Sequence, residues 1–198
     1  DTSGNQNTCT FDVTTVDTTD PAITCPAAIT TSNDTGDCTA VVTYTTPVGT
    51  DDCTGASTTQ IAGLPSGSAF PVGTTTNTFE VTDAAGNSTT CSFTVTVNDT
   101  EDPAITCPAD ITTSNDTGDC SAVVTYTTPV GTDNCTGATT TQTAGLPSGS
   151  AFPVGTTTNT FEVTDAAGNT ATCSFDVTVN DTEDPAITCP ADITTSND

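Results

Sequence analysis

The sequence predicts an all-β protein made of tandem β-sandwich domains, and three observations lead to that prediction. Apolar and polar residues alternate along several short segments, no segment shows a helical period, and the whole pattern repeats. The cysteines give the period, because the spacing from Cys25 to Cys107 equals the spacing from Cys107 to Cys189. A period of roughly 80 residues fits one small domain per repeat.

The repeat divides the 198 residues into two complete copies and two partial ones. Residues 17–98 and 99–180 are the complete copies, and they differ at only nine positions. Residues 1–16 match the closing strand of a preceding repeat, and residues 181–198 match the start of a following one. We therefore expect domains with these bounds, arranged end to end in a fragment of a longer array. In the alternative, the terminal strands are exchanged with neighbouring molecules.

Within one repeat, three segments carry the strand signal. AVVTYTT at 40–46 is rich in β-branched residues, TFEV at 78–81 places two apolar side chains on one face, and CSFTVTV at 91–97 alternates throughout. The segments between them have turn chemistry: SNDTGD at 32–37, GTDDCTG at 49–55, LPSGS at 64–68 and DAAGN at 83–87. About seven short strands with regular turns in ~80 residues are the pattern of an immunoglobulin-like β-sandwich.

The charge composition excludes several classes of function. The chain has 25 acidic residues and no lysine, arginine or histidine, giving a net charge of −25. Phosphate backbones and anionic lipid surfaces would repel it, so we expect neither nucleic acid nor direct membrane insertion. Acid–base catalysis near neutral pH would rest on carboxylates and cysteines alone, so we expect no enzyme and no catalytic residues.

Several motifs together resemble the HYR (hyalin repeat) domain: DPAITCP at the start of a repeat, the GTDNC loop, SGSAFPVGTTTNTFEVTDAAGN, and the closing CSFDVTV. They occur in order and cover essentially the whole chain. The resemblance implies an immunoglobulin-like extracellular module with no general enzymatic activity. Such modules occur in animal surface proteins and in very large bacterial surface adhesins, and near-identical tandem copies look more like the adhesins.

The resulting functional prediction is a structural stalk or filament segment of a secreted or cell-surface adhesin. Its partners would be neighbouring repeats of the same chain and other copies in a filament, with an unknown surface ligand. The alternative is a multivalent carbohydrate- or surface-binding module that gains avidity from repetition. Only 5% of the residues are aromatic, which disfavours sugar platforms. Ice binding is a third possibility that the threonine content raises, and the long repeat argues against it.

Ten cysteines without a histidine partner or a CxxC pair predict disulfides and an oxidising, extracellular setting. We expect Cys25–Cys91 with Cys38–Cys53, and likewise Cys107–Cys173 with Cys120–Cys135. The first and last strands of an immunoglobulin-like sandwich can be parallel neighbours, which would bring Cys25 to Cys91. The resemblance supports this choice, because many family members lack the pair equivalent to Cys38 and Cys53. The rival pairing is Cys25–Cys38 across a hairpin.

The linker VNDTEDP places three acids just before a proline, in a chain without cations. In the predicted sandwich, this linker would meet the first turn of one repeat and two loops of the next. Carboxylate and amide oxygens suit Ca²⁺, which takes six to eight oxygen ligands. The candidate ligands are Asp34, Asp37, Asp99, Glu101, Asp102, Asp133, Asn134, Asp165 and Asn169. The linker also resembles the calcium-binding linker of cadherins. The alternative is that these residues serve only turn geometry and solubility.

Overall fold

The computed structural model describes residues 2–195 and has no helix within them. The chain divides into two units, Asp1–Asp99 and Thr100–Asp198. Asp1 and residues 196–198, which the sequence assigns to partial repeats, lie outside the described residues. The strands of the first unit are β1 Ile29–Ser32, β2 Thr39–Val42, β3 Ser57–Ala62, β4 Ser68–Pro71, β5 Gly73–Thr82 and β6 Ser88–Asn98. Those of the second are β7 Ile111–Ser114, β8 Ser121–Val124, β9 Thr139–Ala144, β10 Ser150–Pro153, β11 Gly155–Thr164 and β12 Thr170–Asn180.

Each unit is a sandwich of a four-stranded and a two-stranded sheet. In the first unit the larger sheet has the order β1-β6-β5-β3, and β2 pairs with β4. Strand β1 lies parallel to β6, whereas the other pairs are antiparallel. The second unit repeats this topology as β7-β12-β11-β9 and β10-β8. The first strand is thus a parallel neighbour of the last, as in the predicted immunoglobulin-like arrangement.

The first strand begins well inside the repeat. Before it, the described residues show one isolated bridge, between Ala22 and Thr50. Prolines at positions 21 and 26 flank the bridge, and proline has no N–H to donate to a ladder. The continuous pairing therefore starts only at Ile29, which gives six strands per unit instead of about seven.

The core forms where the alternating strands face each other. Phe93, Val95 and Val97 alternate inward from β6, and their side chains are at most 5% exposed. Phe79 on β5 and Phe70 on β4 are also buried in this cluster. Phe79 and Phe93 stack with ring centroids 6.4 Å apart. The alternation that predicts a strand from the sequence thus also selects the residues that exclude water.

Strand β2 ends at Val42, although the β-branched segment continues to residue 46. The backbone of Tyr44 leaves the sheet, because its N–H donates to Ser66 Oγ at 2.8 Å. Its hydroxyl donates to the carbonyl of Leu64 at 2.7 Å, and its ring packs edge-on against Phe93 at 4.9 Å. The tyrosine therefore anchors the turn at 64–68 instead of extending a strand.

A buried asparagine also holds the turn at 64–68 in place. Asn77 on β5 is fully buried, and its Oδ1 accepts hydrogen bonds from Leu64 N at 2.8 Å and Gln60 Nε2 at 3.1 Å. Gly63 is required beside it, because a Cβ there would lie 2.2 Å from Asn77 Oδ1 and the backbone has a φ of 86°. In the second unit Asn159 and Gly145 repeat this arrangement.

The two ends of each sandwich carry the polar loops. In the first unit, the N-pole is the group formed by Asp17, the loop 49–55 and the turn 83–87. There, Asn87 Nδ2 donates a hydrogen bond to the carbonyl of Asp17 at 3.3 Å. The C-pole is the turn 33–38 with the end of β6, where Asn33 N donates to the carbonyl of Asn98 at 2.9 Å. The ten residues of β5 separate the poles by roughly 30 Å.

In the second unit the N-pole comprises residues 101–104, the loop 131–137 and the turn 165–169. Its C-pole comprises the turn 115–120 and residues 180–185, where Asn115 N donates to the carbonyl of Asn180 at 2.9 Å.

Candidate functional site

One cleft at the N-pole of the second unit gathers four of the nine predicted calcium ligands. Glu101, Asp102, Asp133 and Asn134 line one open cleft, together with Ala104 and Thr132. The cleft forms because an isolated bridge joins Ala104 to Thr132, which holds the linker against the loop. Asp133 Oδ2 accepts a hydrogen bond from Cys135 N at 2.9 Å and so orients the carboxylate. Its Oδ1 is shielded from solvent and has no hydrogen-bond partner.

The N-pole of the first unit repeats this chemistry. Asp17, Asp51, Asp52 and Cys53 each place one ligand atom within 4.8 Å of the others. Asp51 Oδ2 accepts from Cys53 N at 3.0 Å, and Asp51 Oδ1 is shielded without a partner, as its equivalent Asp133 Oδ1 is. A shielded carboxylate oxygen without a donor is costly, and the chain has no side-chain cation to compensate it. A bound cation would satisfy this oxygen at both N-poles.

The electrostatics at the first N-pole are dominated by Asp17. Hydrogen bonds from Thr19 N–H and from the Cys53 thiol hold the pKa of the Asp17 carboxyl below its ordinary value. In turn, the hydrogen bond to Asp17 and the negative charge of that carboxylate raise the pKa of the Cys53 thiol to about 11. At neutral pH, therefore, Asp17 is ionised and Cys53 is a neutral thiol.

The other predicted ligands serve their own turns. Asp34 Oδ2 accepts from Val41 N at 2.8 Å, and Asp37 N donates to the carbonyl of Asp34 at 3.0 Å, so both shape the C-pole of the first unit. Asp165 Oδ1 accepts from Gly168 N at 2.6 Å and from Asn169 N at 2.8 Å, while its Oδ2 accepts from Asn169 Nδ2 at 2.8 Å.

The remaining predicted ligand, Asp99, is the last residue of the first unit and is 8% exposed. Burial tends to raise the pKa of the Asp165 carboxyl, but hydrogen bonds from Asn169 and from backbone N–H groups hold that pKa below its ordinary value.

The C-pole of the second unit shows how a linker meets the turn of its own repeat. Gly118 N donates to both carboxylate oxygens of Glu183, at 2.9 and 3.0 Å. Thr182 N donates to Asn115 Oδ1 at 3.0 Å. Asp119, Asp181 and Asp184 line the same cleft. The sequence predicts ligands only around the linker between the two complete repeats. The prediction therefore leaves out the acids at the C-pole of the second unit and those around Asp17 at the N-pole of the first. Equivalence between successive repeats is the signal that points to both.

Two of the expected disulfides are present. Cys25 bonds to Cys91 and Cys107 bonds to Cys173, each with Cα atoms 5.6 Å apart. Both close loops with a sequence separation of 66 residues and join the segment before the first strand to the last strand. The rival pairing of Cys25 with Cys38 is thereby excluded.

The expected Cys38–Cys53 and Cys120–Cys135 pairs are wrong, because Cys53 and Cys120 are free thiols. Cys38 and Cys135 are disulfide-bonded. The carbonyl of Cys38 accepts from Val72 N at 3.2 Å, beside the start of β5, which places Cys38 at the C-pole. Cys53 lies with Ala84 and Ala85 beyond the end of the same strand. Roughly 30 Å of strand separates the two, whereas a disulfide needs Cα atoms within about 7 Å.

The profile of the HYR domain matches residues 16–97 and 98–179. The chain belongs to the HYR domain family. Hyalin from Strongylocentrotus purpuratus is 37% identical over 203 residues, covering 98% of this chain and 17% of the hyalin. Hyalin from Lytechinus variegatus is 37% identical over 200 residues, covering 96% of the chain and 37% of that protein. The HYR chain thus spans well under half the length of these relatives.

A bacterial relative and several solved structures are also similar. The serine-rich adhesin for platelets from Staphylococcus aureus is 33% identical over 168 residues, covering 70% of the HYR chain and 7% of the adhesin. Mouse cadherin-23 EC22-24 aligns with 84% of the chain and 66% of its own, at 15% identity and a TM-score of 0.41. Protocadherin gamma B2 EC1-5 gives 13% identity and a TM-score of 0.43, covering 83% and 41%. Those scores are too low to support an argument.

The HYR chain is an extracellular or cell-surface segment, as its hyalin and adhesin relatives and its disulfides indicate. Within residues 2–195, no helix is long and apolar enough to span a bilayer.

Proposed function

We propose that this HYR array is a load-bearing stalk or filament segment of a secreted or cell-surface adhesin and has no catalytic role. The observation that carries the proposal is the Cys25–Cys91 bond and its repeat in the second unit. Each bond joins the segment where the chain enters a repeat to the strand by which it leaves. In the first unit, force applied through the termini therefore reaches a covalent bond once the short stretches 17–24 and 92–98 are extended, since the other residues lie within the loop.

Single-molecule pulling on the whole chain tests this function. Under non-reducing conditions each unfolding event should release only the ~15 residues outside the loop, at most about 50 Å of extended chain. After reduction the same event should release a whole repeat of roughly 80 residues, at most about 290 Å. Release of a whole repeat without reductant would contradict a clamped stalk.

The multivalent carbohydrate-binding alternative lacks an aromatic platform on the sandwich. Tyr44 and Tyr126 are half-buried against phenylalanine rings, and their hydroxyls bond backbone carbonyls. Among the described phenylalanines, only Phe11 is exposed. Saturable binding of the isolated chain to immobilised glycans would favour that alternative over the stalk.

We also propose that Ca²⁺ binds at the N-poles, with Glu101, Asp102, Asp133 and Asn134 as ligands in the second unit. Two features support this: the cleft is lined by hard oxygen donors, and Asp133 Oδ1 is shielded without a hydrogen-bond donor. The same features at Asp51 support an equivalent site in the first unit. The ion would offset the repulsion among these acids and stabilise the folded state by mass action.

Calorimetry tests the calcium proposal. Titration of Ca²⁺ into chelator-treated protein should give measurable uptake, and Tm should rise by several degrees at about 100 times Kd, where linkage gives about 2.7 kcal/mol. Asp133→Asn should weaken uptake by the second unit. The matched control is Asp176→Asn, which removes an acid from the middle of β12, away from either pole. Equal uptake by wild type and Asp133→Asn, or no uptake at all, would contradict the proposed ligands.

A further inference from the structure

An open groove lies beside Cys25–Cys91, the disulfide that clamps the first unit. Its volume is about 400 Å³, and Thr24, Cys25, Pro26 and the segment 45–48 line it. Cys25 is half-buried and contributes one half of the bond to the groove, whereas Cys91 is not among the described residues that line it. The groove therefore approaches the disulfide from the Cys25 side.

The second unit repeats the groove in every lining position. Its volume is about 420 Å³, and Thr106, Cys107, Pro108 and the segment 127–130 line it. Of the two cysteines in the Cys107–Cys173 bond, Cys107 again takes part in the lining that the structure describes. The groove is therefore a property of the repeat itself.

The walls of the groove lie outside the sheets. In the first unit, residues 23–28 precede β1 and residues 43–49 follow β2, and neither segment belongs to a strand. The bridge between Ala22 and Thr50 holds the two segments together at one end. A small molecule can therefore enter the groove without displacing a strand.

The lining of both grooves is uncharged, whereas the chain as a whole is strongly acidic. Threonine, proline, valine and cysteine form the lining, and the net charge of the chain is −25. A field of that sign lowers the local concentration of anions and raises that of cations. The groove therefore favours a small uncharged or cationic molecule, and the reactive group beside such a molecule is a disulfide.

We propose that each groove is the entry site for a small thiol reductant, which opens the clamping disulfide while the sandwich stays folded. The inference rests on the proposed stalk function. It gives the stalk a redox-controlled length, because an opened clamp no longer limits how much of a repeat extends under load.

The reaction is thiol–disulfide exchange in two steps. The thiolate of a small thiol attacks Cys25 Sγ, the S–S bond breaks, and the Cys91 thiolate leaves and takes a proton from water. A second small thiolate attacks the small-thiol sulfur of the mixed disulfide and releases Cys25, which is protonated in the same way. Two small thiols are thereby oxidised to one small disulfide, and the protein disulfide gains their two electrons.

Peptide mapping of the full chain tests the direction of attack. Brief treatment with 2-mercaptoethanol, followed by rapid alkylation with iodoacetamide, should leave the mercaptoethanol adduct on Cys25 and Cys107. The alkyl group should be found on Cys91 and Cys173. Adducts spread equally over both cysteines of each bond, or carried mainly by Cys91 and Cys173, would overturn the groove as the entry site.

Rates with three thiols of different charge test the proposed selectivity. Each rate is expressed per thiolate and corrected for the basicity of that thiolate. At an ionic strength of about 10 mM, cysteamine should react faster than 2-mercaptoethanol, and 2-mercaptoethanesulfonate should react more slowly. The differences should shrink in about 1 M NaCl, where the Debye length is roughly 3 Å. Equal corrected rates at low ionic strength would contradict the selectivity.

Val48 and Val130 offer a matched pair of variants, because each lines one groove and their side chains are 78% and 77% exposed. With 2-mercaptoethanesulfonate, Val48→Lys should accelerate reduction of Cys25–Cys91 about twofold to fivefold relative to Cys107–Cys173. Val130→Lys should do the reverse. Both variants change the net charge equally, so equal acceleration of the two disulfides by either one would show that the groove does not admit the thiol.

Reduction that requires unfolding has a different kinetic signature. Its rate becomes independent of thiol concentration once opening is limiting, and it rises with denaturant. That result would overturn the groove and leave the stalk function standing, because the clamp would still limit extension under non-reducing conditions. Release of a whole repeat without reductant is the separate result that contradicts the stalk itself.

Discussion

At the scale of single residues, the acidic composition acts through short contacts. The chain has no positive side chain, so several of its carboxylates accept hydrogen bonds from backbone N–H groups, from a hydroxyl or an amide, and at the first N-pole from a thiol. Asp17 is the clearest case, because its effect on Cys53 decides the reactivity of that cysteine. A neutral residue at position 17 should therefore change the chemistry of position 53 without touching the sulfur.

We expect Asp17→Asn to lower the pKa of Cys53 towards its ordinary value, because the substitution removes the charge that disfavours the thiolate. In a chain with Cys9, Cys120 and Cys189 replaced by serine, the midpoint of the pH–alkylation curve should move down by about one unit. The rate at pH 8 should rise by roughly threefold to tenfold, since the gain in thiolate fraction exceeds the loss in its nucleophilicity.

The control for this prediction is Asp37→Asn, which removes an acid at the C-pole of the first unit, roughly 30 Å of strand away from Cys53, and should leave the midpoint unchanged. An Asp17→Asn midpoint equal to that of the parent would show that Asp17 does not set the pKa.

At the scale of elements, the disulfide between Cys25 and Cys91 substitutes for core size. Only 32% of the residues are hydrophobic, and the buried cluster of the first unit has seven members. A small core gives little stability per domain. The bond holds the irregular segment before β1, which has only one backbone bridge, against the last strand.

Removing this bond should destabilise one unit selectively. The double substitution Cys25→Ser with Cys91→Ser opens a loop with a sequence separation of 66, and the loss of chain-entropy restriction should cost about 4 kcal/mol. Guanidinium unfolding should then resolve two transitions, the earlier one belonging to the first unit.

Cys9→Ser, which removes a free thiol, is the matched control and should leave one transition. An unshifted double variant would mean that the bond contributes nothing to stability.

The sequence predicts which segments form strands better than it predicts where those strands end or how the cysteines pair. Alternation over 91–97 predicts β6 because periodicity is a local property. The end of β2 depends on Tyr44 reaching Ser66, a contact 22 residues away that no local pattern encodes. The Cys38–Cys53 error has the same origin, since proximity along the chain does not reveal that the two residues lie at opposite poles.

The candidate site shows a similar division between local and nonlocal information. Residue type predicts Glu101, Asp102, Asp133 and Asn134 as ligands, and the structure brings these four residues to one cleft. Residue type did not reveal that the Asp165 carboxylate already accepts hydrogen bonds within its own turn, because an aspartate is as favourable in a turn as in a cation site.

At the scale of the whole molecule, the net charge of −25 over 198 residues keeps the protein soluble but opposes folding through self-repulsion. Screening should relieve that repulsion. In the presence of chelator, raising NaCl from about 10 mM to about 150 mM shortens the Debye length from roughly 30 Å to roughly 8 Å, and Tm should rise. Differential scanning calorimetry measures it, with an uncharged osmolyte at equal osmolality as the control. A Tm that falls with NaCl would contradict this account.

The loops closed by the two disulfides also determine what a protease could do to this chain. A single cut between Cys25 and Cys91 falls inside a covalent ring, so the two chain fragments stay joined through the sulfur atoms. Only the short stretches outside the rings, such as 17–24 and 92–98, transmit load through backbone alone. Of these, 92–98 lies within β6, where a protease cannot reach an extended backbone without unfolding the sheet. The array should therefore tolerate nicks at most of its exposed turns and still carry tension.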